Sequence, residues 1–234
     1  MEFAKRTVAI TGAAGNLGRA VAAAFAGRGA GLVLIDRRRD DLESAYGADD
    51  GSRLTLPLDL SDQAATTAAI AAAVDRCGRL DVLCNVAGGF EMGDAVHETS
   101  DATWDLMADL NVRTLIHASR AVVPHMIAAG NGRIVNVGAA AAIRGMAGMG
   151  AYCATKSAVI RLTEAMSAEL REQGINVNCV LPSILDTPQN RAAMPDADPA
   201  RWVSPDSLAE VIAFLASDAA RAIHGAALPV TNLS

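Results

Sequence analysis

Seven short apolar runs, separated by longer stretches of helical character, constrain this chain more than any other feature. They fall at 8–11, 31–36, 54–58, 80–85, 133–137, 176–181 and 227–230, and most are rich in Val, Ile or Leu with little alternation. Strands buried on both faces read this way, because neither face needs polar residues. Helices are predicted near 16–28, 38–46, 61–77, 101–129, 151–173 and 204–217, with Ser61 and Ser100 placed to cap two of them. The resulting β-α-β order implies an α/β chain, a doubly wound parallel sheet of about seven strands with helices on both faces. In such sheets ligands bind beyond the carboxyl ends of the strands.

A length of 234 residues fits one domain spanning 1–234, and 51% hydrophobic residues suffice for its core. The 20 Lys and Arg against 26 Asp and Glu give a net charge of −6, which disfavours nucleic acid and anionic membranes and leaves a small molecule as the expected partner. No run of about 18 uncharged apolar residues occurs, and the start leads straight into the first strand instead of a signal peptide, so a cytoplasmic location is expected. Cys77, Cys84, Cys153 and Cys179 lack CxxC spacing and are expected as buried thiols; the four histidines show no ligand spacing, so no metal is expected. Residues 182–205, with prolines at 182, 188, 195 and 199, fit neither period and are read as a lid.

After the first strand comes Thr11-Gly12-Ala13-Ala14-Gly15-Asn16-Leu17-Gly18, followed by a helical run. Such a turn bends sharply, brings backbone N–H groups against a pyrophosphate and sets it on a helix N-terminus, as in a Rossmann-type dinucleotide site. Asp36, closing the second strand 18 residues beyond Gly18, is placed to accept from the adenosine ribose hydroxyls. Its charge would repel the 2′-phosphate of NADP, so NAD(H) is favoured over NADP(H), although Arg37 beside it could pair with that phosphate. Asp59, in Leu58-Asp59-Leu60, could accept from the adenine amino group or cap a helix. Asn85-Val86-Ala87-Gly88-Gly89 ends the fourth strand in small residues, as a cofactor lying on the backbone requires.

Tyr152 and Lys156 stand four apart in a helical stretch and so share a face. A nearby ammonium is expected to lower the phenol's pKa from about 10 and to hold a ribose hydroxyl, making Tyr152 a proton donor or acceptor. Taken with the glycine turn, Asp36, Asp59, the 85–88 segment, Asn111 in Leu110-Asn111-Val112 and the strand at 134–137, this pair makes the chain resemble the short-chain dehydrogenase/reductase family over essentially its whole length. The resemblance implies a nicotinamide cofactor and hydride transfer, with Tyr152 as acid/base and Lys156 on the ribose. It further implies Asn111 holding a water in a proton relay, and Pro182, the Ile184 backbone and Thr187 at the carboxamide. A homodimer or homotetramer is also implied; Leu115, Ile116, Val122, Val159, Ile160 and Leu162 would give two helices a second apolar face.

The chain departs from that family at four points: Val86 replaces an asparagine, Ser183 a glycine, the glycines are spaced GxxGxxG, and Ala139 stands where a serine polarises the substrate carbonyl. The dihydropteridine reductases also lack that serine, and the chain resembles them at 83–90, 138–141 and through Leu185-Asp186-Thr187-Pro188, Asn190-Arg191 and Trp202. That branch implies NADH-dependent reduction of a quinonoid dihydropteridine, an acceptor electron-poor enough to need no carbonyl-polarising hydroxyl. The alternatives are a carbonyl reductase or alcohol dehydrogenase of the 3-oxoacyl reductase type, and a non-catalytic NAD-binding sensor.

Overall fold

The computed structural model describes residues 2–234. Seven strands form one parallel sheet: β1 (Thr7–Thr11), β2 (Gly31–Asp36), β3 (Arg53–Pro57), β4 (Val82–Asn85), β5 (Gly132–Val137), β6 (Ile175–Pro182) and β7 (Ala227–Val230). Their order is β3-β2-β1-β4-β5-β6-β7. Thr11 pairs with Asn85 where the order reverses between β1 and β4, so the first crevice at the carboxyl edge opens beside the glycine turn.

Neighbouring residues of one strand feed opposite layers, which explains the unbroken apolar runs. Val8, Ile10, Leu32, Leu34, Val82, Val135 and Val180 pack beneath α1 (Asn16–Ala26) and α8 (Pro205–Ala216), meeting Val21, Phe25, Leu208 and Ile212. Ala9, Val33, Ile35, Leu83, Ile134 and Val177 face the other way, toward Ile70, Val122 and Met126 of α3 (Gln63–Cys77) and α5 (Thr114–Ala129). The remaining helices are α2 (Arg39–Tyr46), α4 (Asp101–Ala108), α6 (Gly150–Leu170) and α7 (Pro188–Ala193). Among the described residues no helix is long and apolar enough to cross a membrane.

Four expectations are corrected. The helix expected at 101–129 is two helices joined by a π turn, Asp109–Arg113, whose wider coil turns Asn111 inward. Ser100 caps α4 by accepting from Thr103 N, but α3 is capped by Asp62, not Ser61, because Asp59 takes the Ser61 N–H in a turn and delays the helix by a residue. Cys77 is only half-buried, since it lies on the last turn of α3, while the other three cysteines are buried free thiols. Residues 182–205, which fit neither period, hold a short helix all the same: Thr187 caps α7, a short 3-10 turn spans Pro199–Arg201, and Leu185 bridges to Val203.

Candidate active site

Two glycines of the turn are enforced by close approach. Gly12 has φ +64° and lies so near the segment after β4 that a Cβ would stand 2.9 Å from Ala87 Cα; at Gly18 a Cβ would stand 2.1 Å from the Gly12 carbonyl oxygen. Gly15 caps α1 with no side chain, so the first-turn N–H groups of Asn16, Leu17 and Gly18 are left to a ligand. This turn, held tight by backbone contacts that admit no Cβ at Gly12 or Gly18 and rimmed with N–H donors, fits a dinucleotide pyrophosphate.

The rest of the first βαβ unit clamps the turn. Asp36 Oδ2 accepts from Ala14 N at 2.9 Å and Oδ1 from Arg37 N at 2.8 Å, fixing the carboxylate plane at the end of β2. From α2 the Tyr46 hydroxyl donates to the Ala13 carbonyl at 2.6 Å. Arg37 itself is exposed. Hydrogen bonds from Ser61, aided by the Arg37 charge, hold the exposed Asp59 carboxyl below its ordinary range. Leu60 is buried, and its carbonyl meets His117 Nδ1 at 2.8 Å.

Asn85 closes β4 with its side chain bonded within the protein. It lies between the sheet and the layer of α5 and α6, where Nδ2 donates to Asn136 Oδ1 at 2.9 Å, and Asn136 Nδ2 donates to Thr163 Oγ1 at 2.9 Å. Ala87 and Gly88 follow in the coil beyond β4, at the carboxyl edge of the sheet where a cofactor would lie. Thr11 ties these parts together: its Oγ1 accepts from Val86 N at 3.0 Å and Ala87 N at 3.1 Å.

α6 carries the reactive pair. Lys156 is buried and donates from Nζ to the Val137 carbonyl at 2.9 Å; loss of water around it lowers its pKa to about 8. Tyr152, one turn earlier, is partly buried, and that burial pushes its pKa up to about 12. The expected lowering is thus not found in the protein alone: desolvation of the phenolate dominates, and the phenol is a protonated donor at neutral pH. Asn111 Oδ1 accepts from Gly89 N at 2.9 Å and Nδ2 donates to Thr155 Oγ1 at 3.2 Å. A Cβ on Gly88 would stand 2.8 Å from Asn111 Oδ1 and 3.0 Å from Lys156 Nζ, so Gly88, Asn111 and Lys156 meet at one point. Ala139, two residues beyond Val137, is buried in extended backbone and offers no hydroxyl.

Pro182, the last residue of β6, and Thr187 beyond it are buried, and Ile184 is exposed. Thr187 Oγ1 accepts from Asn190 N at 3.2 Å and keeps its hydroxyl hydrogen to donate. Asn16 Nδ2 donates to Gln189 Oε1 at 2.8 Å, so the 182–205 segment touches the glycine turn directly. Tyr46, Phe90, Thr155 and Gln189 were not singled out from the sequence as site residues. Phe90 had a signal: it is the first bulky side chain after Ala87-Gly88-Gly89.

A glycine turn at a sheet switch point, facing a tyrosine and a lysine one helical turn apart, defines a nucleotide-dependent oxidoreductase. The model of the family described as short chain dehydrogenase matches residues 6–198, and the chain belongs to that family. It is 34% identical to meso-2,3-butanediol dehydrogenase of Serratia marcescens over 244 aligned positions, covering 98% of this chain and 94% of that protein. It is 36% identical to cis-4-hydroxycyclohexanecarboxylate dehydrogenase of Sinomonas cyclohexanicum over 239 positions, covering 97% and 96%. Carveol dehydrogenase from Mycobacterium avium, solved in complex with NAD, superposes with a TM-score of 0.89 at 29% identity, covering 98% of this chain and 97% of that one. The family is thereby shown; the pteridine-reductase branch is not.

Proposed function

We propose that this oxidoreductase interconverts a small secondary alcohol and its ketone with NAD(H), and that Tyr152 on α6 is the group that gives and takes the proton. The observation that carries the proposal is the buried Lys156 ammonium, fixed on the Val137 carbonyl one turn from Tyr152 and beside Asn111. The related proteins named above are alcohol and diol dehydrogenases, which places this reading ahead of pteridine reduction. When bound, the nicotinamide supplies a hydride to a carbonyl carbon or takes one from a carbinol carbon. The glycine turn and the N–H groups of Asn16, Leu17 and Gly18 would hold its pyrophosphate, Asp36 the adenosine ribose, and Asp59 and Leu60 the adenine edge. Ala87 and Gly88 would underlie the second ribose, with Asn85 bracing them at the end of β4. Pro182, Ile184 and Thr187 would border the carboxamide, under a lid formed by 182–205.

Within this scheme Tyr152 donates its phenolic proton to the nascent alkoxide. Lys156 would hold the cofactor ribose beside it, and Asn111 would hold a water through which a replacement proton arrives. A quinonoid dihydropteridine acceptor remains the second reading, favoured by the missing hydroxyl at Ala139. Assaying the purified protein with NADH against 3-hydroxy-2-butanone and against quinonoid dihydropterin decides between them. Turnover confined to the pterin reverses the order, and tight NADH binding with no turnover of any acceptor points to the sensor.

Asp36 also sets the cofactor preference. NADH should bind roughly tenfold or more tighter than NADPH, and Asp36→Ala should narrow the gap. Equal affinities in the unaltered protein, measured by quenching of its tryptophan fluorescence, count against the assignment.

A homodimer or homotetramer belongs to the same proposal, on revised grounds. Leu115, Val122, Val159 and Ile160 are buried in the chain's own core, whereas Leu106 of α4 and Ile127 of α5 are exposed. Burial of those two against a second copy should give a dimer or larger species in sedimentation at micromolar concentration. A monomer there refutes the assembly.

A further inference from the structure

Phe90 is 52% exposed, yet its ring stands edge-to-face on the ring of Tyr152, with centroids 4.8 Å apart and planes at 83°. Its backbone is pinned from below, since the preceding Gly89 N–H is held by Asn111. A phenylalanine fixed at its base, open on one side and touching the reactive phenol is not core packing.

It also has company. Of the eleven large apolar side chains exposed among the described residues, six follow three adjacent strands at their carboxyl ends: Phe90, Met92 and Val96 after β4, Ile143 and Met146 after β5, and Ile184 after β6. Gly93 N donates to the Gly148 carbonyl at 2.8 Å, and a Cβ on Gly150 would stand 2.7 Å from Val96 Cγ2, so the first two segments are stitched together at the start of α6. The titratable groups among them are Glu91, Asp94, His97, Glu98, Arg144 and Asp186, the last paired with Arg191, a net acidic set that disfavours carboxylate or phosphate handles. With alanine at 139, the wall beside Tyr152 offers Phe90 and no hydroxyl at that position.

From this we infer that the site selects neutral alicyclic alcohols and ketones, and that Phe90 is the residue that determines this specificity. The inference rests on the alcohol–ketone reading above. A flat aromatic face beside the proton donor gives a ring apolar contact area at low entropic cost and turns its carbinol edge toward Tyr152.

The test compares 4-methylcyclohexanone with 3-hydroxy-2-butanone as acceptors for the full chain with NADH. The ring ketone should be preferred in kcat/KM by roughly tenfold or more, and Phe90→Ala should erase most of that ratio through KM, with Phe90→Leu recovering part of it because apolar bulk returns. NADH affinity measured on each variant shows that the cofactor site is intact. A ratio unmoved by Phe90→Ala, or a preference for the linear ketone, overturns the inference and leaves the oxidoreductase reading standing. Turnover of neither ketone by the unaltered protein brings down both.

Discussion

Tyr152→Phe is expected to lower turnover by roughly 10³-fold while NADH affinity changes by less than about threefold. The substitution removes one oxygen from a side chain whose ring still packs on Phe90, and leaves the glycine turn, Asp36 and the Lys156–Val137 contact in place. Only the proton donor is lost. The pH dependence follows from the neighbouring groups. With its pKa at about 12, Tyr152 is protonated throughout the neutral range, whereas Lys156 loses its charge as pH rises through about 8. In the protein without cofactor, NADH affinity should therefore fall above that pH as the ammonium available to the ribose disappears. Stability should move the other way. Lys156 has a folded pKa depressed from 10.5 to about 8, so between those values the unfolded chain binds the extra proton and unfolding becomes harder as pH rises. Lys156→Met should remove both trends. Retention of a tenth or more of the turnover in Tyr152→Phe excludes this tyrosine as the acid.

The sheet was legible in the sequence because its five inner strands are buried on both faces, and burial on two faces writes an uninterrupted apolar run. The glycine turn was legible because close backbone approach at Gly12 and Gly18 tolerates no other residue. The π turn was not. Residues 109–113 continue the helical pattern on either side, and the extra residue per turn serves the contacts of Asn111 with Gly89 and Thr155, partners 22 and 44 residues away. The same limit applies to the Asn85 side chain, since nothing in a single asparagine names its partner; Asn136 is set by the β4–β5 register. Tyr152 is the clearest case. Spacing puts a lysine near it, but its pKa is governed by burial, a property of the assembled tertiary structure that local spacing does not carry.

Ala139 is where that limit matters most for chemistry, because the sequence shows the absence of a hydroxyl and the structure shows a backbone that admits one. The backbone there is extended, at φ −158° and ψ 149°, which a serine adopts without strain, and the position follows β5 just beyond the carbonyl that holds Lys156. Ala139→Ser should therefore fold normally and add one hydrogen-bond donor to the wall of the site. If the acceptor is a ketone, that donor meets the oxygen on which charge develops, and turnover of a ring ketone should rise by roughly 10- to 100-fold, somewhat below the usual effect of an oxyanion donor because the site has not been shaped around it. A quinonoid dihydropterin spreads the developing charge over its ring and should gain little. The pattern across the two acceptors carries the information. A gain on the ketone alone says that the alanine tunes the site away from plain carbonyl activation, toward substrates held by apolar contact beside Phe90. No gain on the ketone, with the variant folded and binding NADH normally, means that the reacting oxygen does not approach residue 139. The carbonyl would then have to be polarised by Tyr152 alone.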